Sequence, residues 1–177
     1  MRSVAAVGLW TALLAVQGGA LTPDGLMCEL LAKPGLVAVT DATPEFSWGF
    51  KDALPGDRQT AYQLQAATTT ARFKTDAPDL WDSGKVDSDQ SQWVAYGGAP
   101  LHKGARCWWK VRVWAQGDAA SPWSAPASFS VGPLAAADWR GEWIGADWIK
   151  EHAGPLPWLR KVVELDRAPS SAVAYVC

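Results

Sequence analysis

Hydrophobic and polar residues alternate most regularly between residues 106 and 124. On one side of the alternation the residues are apolar: Cys107, Trp109, Val111 and Val113. The intervening positions hold aromatic and cationic side chains: Trp108, Lys110, Arg112 and Trp114. A repeat of two belongs to an extended chain, whose successive side chains point to opposite faces. The pattern predicts one long strand, a glycine-containing turn and the opening of a second strand, with the apolar row facing a core.

Further short strands are predicted where apolar or β-branched residues lie between turns that contain glycine or proline. Their ranges are 26–32, 36–39, 45–50, 59–70, 91–96 and 122–131, together with 80–86, where a short strand runs into a turn. Two of these strands have a clear inner face, formed by Phe46, Trp48 and Phe50 in one and by Tyr62, Leu64 and Ala66 in the other. No convincing helix is present. The predicted fold is therefore all-β, an antiparallel β-sandwich over residues 26–132 with Trp48 and Trp109 in its core.

The first twenty residues form a separate unit. Arg2 is the only charged residue before Asp24, residues 4–16 are an apolar run, and small residues lead up to Ala20. This is the pattern of a secretory signal peptide cleaved after Ala20. A membrane anchor is the alternative, but the run is shorter than the roughly 20 residues that span a bilayer. The mature protein is expected to be secreted or periplasmic.

The carboxyl-terminal part has a different character. Residues 133–138 are predicted to be a linker, and residues 139–177 the truncated start of a second domain. Two strands are expected in it, at 159–165 and 172–177. So short a segment cannot bury a core of its own. Because the sequence stops at Cys177 within an apolar strand, we expect the chain to be a piece of a larger protein.

Charge and composition exclude several functions. The formal net charge is −2, so no basic face for nucleic acid or phosphate is expected. No phosphate loop is found, because Asp79 stands six residues before Lys85 where a glycine would be needed. His102 and His152 lack metal-site spacing. No metal and no cofactor are expected.

The acidic and sulfur-containing residues also have ordinary structural interpretations. Five aspartates cluster between the predicted strands: Asp76, Asp79, Asp82, Asp87 and Asp89. They are interpreted as turn residues with local hydrogen bonds, not as a calcium loop or a catalytic pair. The three cysteines, Cys28, Cys107 and Cys177, are odd in number and are expected to be buried thiols, although one bridge stays possible.

The long strand resembles the penultimate strand of a fibronectin type III module. In such modules a leucine lies six residues before a tyrosine that starts this strand, and Leu101 has that spacing from Cys107. Ser121-Pro122-Trp123-Ser124 stands where the last strand begins. Cys107 departs from the pattern, since cysteine cannot make the hydrogen bond of the tyrosine corner. Another group must then hold that corner.

A longer series of segments resembles the amino-terminal region of bacterial-type α-L-rhamnosidases. The segments occur in the order 44–48 (PEFSW), 59–64 (QTAYQL), 80–86 (LWDSGKV), 109–114 (WKVRVW), 139–145 (WRGEWIG) and 159–161 (LRK). The resemblance covers about residues 26–177. It implies a fibronectin-like sandwich followed by a jelly-roll domain, and a catalytic helical barrel further along the parent protein.

The resemblance also implies what the parent does. Its family hydrolyses terminal α-L-rhamnosyl residues with inversion, using a pair of carboxyl groups. Those groups lie in the barrel, beyond Cys177, so no catalytic residue is assigned to this chain. The expected partners are the downstream domains of the same chain and, for the parent, a rhamnosylated glycoside. The alternative is a carbohydrate-binding or protein-interaction module without a hydrolase.

The outer row of the long strand is the candidate contact surface. Trp108, Lys110, Arg112 and Trp114 could form a domain interface, a ladder of cation–π pairs or a platform on which sugars stack. Trp81, Trp93 and Trp123 are further candidates for a sugar contact. Packing within the sandwich is the competing interpretation for every one of these tryptophans.

Overall fold

The computed structural model describes residues 21–32, 38–51, 53–115, 119–142, 144–145, 158–169 and 172–175. The predicted signal peptide, His152 and Cys177 lie outside the described residues. So do residues 116–118 of the predicted turn and much of 139–177. Among the residues that the structure describes, no helix has the length and apolar character needed to cross a bilayer.

Strands make up nearly all the regular structure of the described residues. They are β1 (Thr22–Cys28), β2 (Ala38–Val39), β3 (Glu45–Lys51), β4 (Ala61–Ala67), β5 (Trp81–Asp82), β6 (Val86–Asp87), β7 (Val94–Ala95), β8 (Arg106–Trp114) and β9 (Ala127–Val131). A one-turn helix, α1 (Ala71–Lys74), follows β4, and a 3-10 turn covers Ala136–Asp138.

The strands form two sheets. The smaller sheet has the order β1-β3-β7, and the larger has the order β2-β9-β8-β4-β5, with β6 also paired to β4. All the strand pairs are antiparallel except β2 with β9, which is parallel. The predicted antiparallel β-sandwich is confirmed.

The core lies between the sheets and is centred on Trp109 of β8. Its ring centroid is 4.5 Å from that of Phe46 on β3, which in turn lies 5.8 Å from Phe129 on β9. The whole apolar row of β8 is buried, as the alternation predicted. Trp48 is also buried, and its indole N–H donates to Gln59 Oε1 at 3.1 Å. The prediction of Trp48 and Trp109 as core residues is confirmed.

Backbone conformation shifts the ends of several predicted strands. The first strand was predicted at 26–32, but β1 already ends at Cys28 because Glu29 and Leu30 have φ values of 52° and 57°. Likewise, 91–96 contains only the short β7, preceded by Trp93 at φ 58°. At these positions the left-handed residue turns the chain out of the sheet. The short strand predicted at the start of 80–86 is β5, and the predicted turn lies at Gly84, which has φ 62°, before β6.

The tyrosine corner is replaced by another tyrosine. Cys107 is fully buried, and the hydroxyl of Tyr96 donates to the carbonyl of Ala99 at 2.7 Å, in the loop that leads to β8. A Cβ on Gly98 would lie 2.6 Å from that hydroxyl oxygen and 2.4 Å from the carbonyl oxygen of Leu80. Only glycine fits so close an approach. Burial raises the pKa of Tyr96 to about 12.

The strands predicted at 159–165 and 172–177 are not found in the described part of the chain. Residues 158–169 and 172–175 carry no strand, and most of their side chains are exposed. A strand needs a neighbour for its backbone hydrogen bonds, and no described strand pairs with these residues. The strand predicted at 159–165 is therefore wrong for this structure, and of the strand predicted at 172–177 the described part, residues 172–175, carries no strand. The assignment of 139–177 to a jelly-roll domain stays a prediction.

Candidate functional site

Aromatic rings and cations alternate across the outer face of the larger sheet. Lys110 Nζ lies 4.8 Å from the ring centroid of Phe73 and 4.2 Å from that of Trp123. Arg112 Cζ lies 4.6 Å from the ring of Trp123 and 5.3 Å from that of Trp114. These distances are in the range of cation–π attraction. With Lys85, whose Nζ is 5.1 Å from Trp114, these residues form what we call the cation–aromatic ladder.

Three of the four predicted site residues belong to this ladder, and the fourth stands apart. Trp108 lies near the start of β8, where its ring centroid is 5.0 Å from Arg106 Cζ. Lys110 and Trp114 are buried, with 6% and 7% of their surface exposed, and Arg112 is half-buried. Much of the face is thus covered by the module's own side chains. A role in contacting a domain or a sugar stays a prediction for these residues.

A hydrogen-bond network holds Arg112 in place. Strands β4 and β8 pair so that Gln63 stands opposite Arg112 and Gln65 opposite Lys110. Arg112 donates from Nε and Nη2 to Gln63 Oε1, at 2.9 and 2.7 Å. The side-chain amide of Gln63 donates to Asp82 Oδ1 at 2.6 Å, and that of Gln65 donates to Asp82 Oδ2 at 2.9 Å and to Asp76 Oδ1 at 3.0 Å.

The segment that carries Trp123 is attached to β8 by two serines. The backbone N–H groups of Ser121 and Ser124 donate to the carbonyls of Val113 and Val111, at 2.7 and 2.8 Å. The same serines' hydroxyl oxygens accept from the N–H groups of Val113 and Val111, at 3.0 and 3.1 Å. Hydroxyls thus replace backbone carbonyls here, so the strand predicted from residue 122 begins only at β9.

Burial and hydrogen bonding oppose each other at Asp82. Burial raises the pKa of its carboxyl, but the hydrogen bonds from Gln63, Gln65 and the backbone N–H of Gly84 outweigh this and hold the pKa below its ordinary value. Lys110 shows the reverse case. Burial lowers the pKa of its ammonium, and the carboxylate of Asp76 opposes that shift.

The depressed pKa of Asp82 predicts a pH-dependent contribution to stability. The ionised carboxylate stabilises the fold at pH values above its ordinary pKa of about 3.9, and this contribution is lost as the pH falls through the lower folded-state pKa. We expect Asp82→Asn to be less stable than the parent at pH 7, and the difference to shrink as the pH falls below about 4. Urea titrations of both proteins at several pH values measure it. A stability difference between the two proteins that does not change with pH would contradict the prediction.

The remaining candidate catalytic or metal-binding residues are bound to structural partners or lack a partner that catalysis would need. Asp79 accepts from the backbone N–H and the hydroxyl of Thr68, at 2.8 and 2.7 Å. Burial raises the pKa of the Cys107 thiol to about 11, so the thiol is protonated at neutral pH. Cys28 is also a buried free thiol. Within the described ranges no group of three acidic, histidine or cysteine residues could hold a metal ion.

The sequence did not identify every residue of the ladder. Phe73 comes from α1, which lies outside every predicted strand, and Lys85 comes from the turn between β5 and β6. Gln63 and Gln65 are buried on the outer side of a central strand. Buried amides need partners, so glutamines alternating with apolar residues in β4 were the available signal for the network.

The fold and this face define a class of protein, the immunoglobulin-like or fibronectin-like β-sandwich module. Residues 23–135 match the family model described as "Rha78A-like, N-terminal immunoglobulin domain". The chain therefore belongs to this family. The predicted resemblance to the amino-terminal region of α-L-rhamnosidases is confirmed.

Named relatives agree with the family match. An α-L-rhamnosidase of Streptomyces avermitilis is 39% identical over 145 residues, which cover 70% of this chain and 14% of the relative. The crystal structure of S. avermitilis α-L-rhamnosidase complexed with L-rhamnose superposes with a TM-score of 0.64 at 41% identity, over 72% of this chain and 12% of that one. The structure of α-L-rhamnosidase from Dictyoglumus thermophilum gives 0.67 at 30% identity, over 75% and 15%. The chain thus spans only about a seventh of the first relative's length.

Proposed function

We propose that this chain is the non-catalytic amino-terminal part of a secreted α-L-rhamnosidase and that it supports the domains that follow it. The observation that carries the proposal is the family match, together with relatives of that name that align over only 14% and 15% of their length. The parent would hydrolyse terminal α-L-rhamnosyl residues with inversion. Its substrate would be a rhamnosylated glycoside, and its location secreted or periplasmic after cleavage at Ala20.

The hydrogen bonds of the carboxylates described here favour a structural role for them over a catalytic one. An inverting glycosidase needs two free carboxyl groups roughly 6.5–9.5 Å apart across a sugar. Asp76 and Asp82 instead accept hydrogen bonds from Gln65, and Asp79 accepts two from Thr68. These carboxylates join strands and turns within the module. Catalysis is therefore assigned to the downstream part of the parent.

Activity assays on two proteins test the proposal. We expect the 177-residue chain to show no turnover of an aryl α-L-rhamnoside, while the product of the complete gene hydrolyses it and inverts the anomeric configuration. Turnover by the purified chain that survives further purification would overturn the assignment of catalysis to other domains. A complete gene product without rhamnosidase activity would overturn the function of the parent.

A carbohydrate-binding module is the second candidate, and exposed indoles are the observation that favours it. Trp93 is 50% exposed and Trp108 is half-buried, so both have surface on which a sugar ring could stack. The rings of Trp114 and Trp123 each have two cationic partners already. A titration of tryptophan fluorescence with L-rhamnose, repeated on Trp93→Ala, separates the candidates. A flat response of the parent chain removes this one.

A further inference from the structure

The chain that leaves the sandwich is attached to it along its first residues. The backbone N–H of Gly132 donates to the carbonyl of Val39 at 2.7 Å, which continues the parallel pairing of β2 with β9. Gly132 and Pro133 are buried, and Leu134 packs against the core. The predicted linker at 133–138 therefore begins as an extension of the larger sheet.

Asp138 closes the next turn upon itself. Its Oδ2 accepts from the backbone N–H groups of Leu134 and Ala135, at 2.9 and 3.0 Å. Lys103, from the loop that precedes β8, donates its ammonium to the carbonyl of Asp138. One carboxylate thus fixes the linker's conformation, and one lysine ties the linker to the sandwich.

Tyr175 is placed against the same end of the sandwich. A Cβ on Gly132 would lie 3.3 Å from Tyr175 Cε1, and 3.1 and 3.2 Å from atoms of Ala38 and Thr40. The tyrosine ring therefore occupies a position that the missing side chain leaves open. Its hydroxyl donates to the carbonyl of Val131 at 3.5 Å, and its ring meets Trp139 edge-on, with centroids 6.3 Å apart.

The described residues before Tyr175 in the same segment, in contrast, are exposed. Their large apolar side chains are exposed, between 55% and 98%: Trp158, Leu159, Val162, Val163, Leu165 and Val173. Large apolar side chains exposed one after another along a segment are typical of a segment that another part of a protein covers. The relatives are several times longer than this chain, so the same polypeptide can supply that body.

We propose that Lys103, Gly132, Asp138 and Tyr175 form a fixed joint that holds the segment after the sandwich in one orientation. The exposed apolar side chains at 158–165 and at Val173 are then covered by the remainder of the second domain, which residues 139–177 are predicted to begin. The second statement rests on the proposed function, because it requires the longer parent protein. The first concerns only this chain.

Trypsin cleavage after Arg140 tests the joint in the 177-residue chain. Arg140 is exposed and follows the joint directly. We expect Asp138→Ala to speed this cleavage about five-fold, the typical effect of losing one cap when cleavage follows the open population. Tyr175→Ala, which removes the ring contact with Trp139 and the hydrogen bond to Val131, should speed it by a similar factor. Asp57→Ala is the matched control, because Asp57 caps the N–H of Leu54 in another loop and should leave the rate unchanged.

The outcomes separate the joint from the proposed function. As a check on folding, the unfolding midpoints of the variants must equal that of the unmodified 177-residue chain. If Asp138→Ala fails this check, Tyr175→Ala, whose side chain lies outside the sandwich, carries the test. Unchanged cleavage in both variants overturns the joint and leaves the proposed function standing. For the covering domain, amide exchange at 158–165 should be slower in the complete gene product than in this chain. Equal exchange in a complete product that is active would overturn the covering alone.

Discussion

Replacing Trp109 with alanine is expected to lower the free energy of unfolding by about 3–5 kcal/mol, the usual cost of truncating a buried tryptophan. Trp109 is fully buried on β8, and its ring centroid lies 4.5 Å from that of Phe46 on the opposite sheet. Its indole N–H has no hydrogen-bond partner among the described residues. The contribution is therefore one of packing, and Trp109→Phe should retain more of it. Urea unfolding followed by circular dichroism measures both values.

Trp108 supplies the matched control, since it is the same residue type one position earlier on the same strand. It is half-buried and its ring contacts the exposed Arg106. We expect Trp108→Ala to cost about 1 kcal/mol or less. A loss for Trp108→Ala as large as that for Trp109→Ala would show that the two faces of β8 are assigned the wrong way round.

These two positions also show how far the sequence leads. The period of two in β8 identifies which residues face the core, because one shift in register would expose all of them. The inner faces of β3 and β4 follow from the same argument, and Phe46 and Leu64 are fully buried as expected. Burial of an apolar row is a property of the local pattern, so it can be read without knowing the strand's partners.

Strand ends could not be read in this way. Residues 22–25 contain Pro23, Asp24 and Gly25, which are typical of turns, yet they belong to β1. The pairing with β3 shifts register between Asp24 and Met27, and Gly25 takes φ 62° there. A bulge lets turn residues stay within a strand when a long partner is available. The partner is a tertiary feature, and local propensity does not contain it.

The same reason explains the error at 159–165. This segment has the β-branched composition of a strand, but no described strand lies beside it. At the candidate site the alternation of β8 correctly grouped Lys110, Arg112 and Trp114. The groups that complete the ladder come from α1, from the β5–β6 turn and from the segment before β9. Their convergence depends on how the sheets pair, so the sequence could name Trp123 but not place it.

Replacing Arg112 with alanine is expected to cost about 2 kcal/mol, since it removes hydrogen bonds from a charged donor together with cation–π contacts. The guanidinium donates twice to Gln63 Oε1 and contacts the rings of Trp123 and Trp114. Gln63 is buried, so its acceptor would lose its partner in a place with little access to water. Arg112→Lys keeps a cation near the rings but loses the planar fork, so its free energy of unfolding should lie between those of Arg112→Ala and the unmodified chain.

Arg106 offers the comparison that separates the ladder from a general effect of arginine. It lies on the same strand, is exposed, contacts one indole and donates to the hydroxyl of Ser128 at 3.1 Å. Arg106→Ala should cost about 0.5 kcal/mol or less, as surface substitutions generally do. If Arg112→Ala were equally mild, the ladder would not be stabilising the module. The prediction that these residues contact another domain or a sugar would then remain as the account of why they are there.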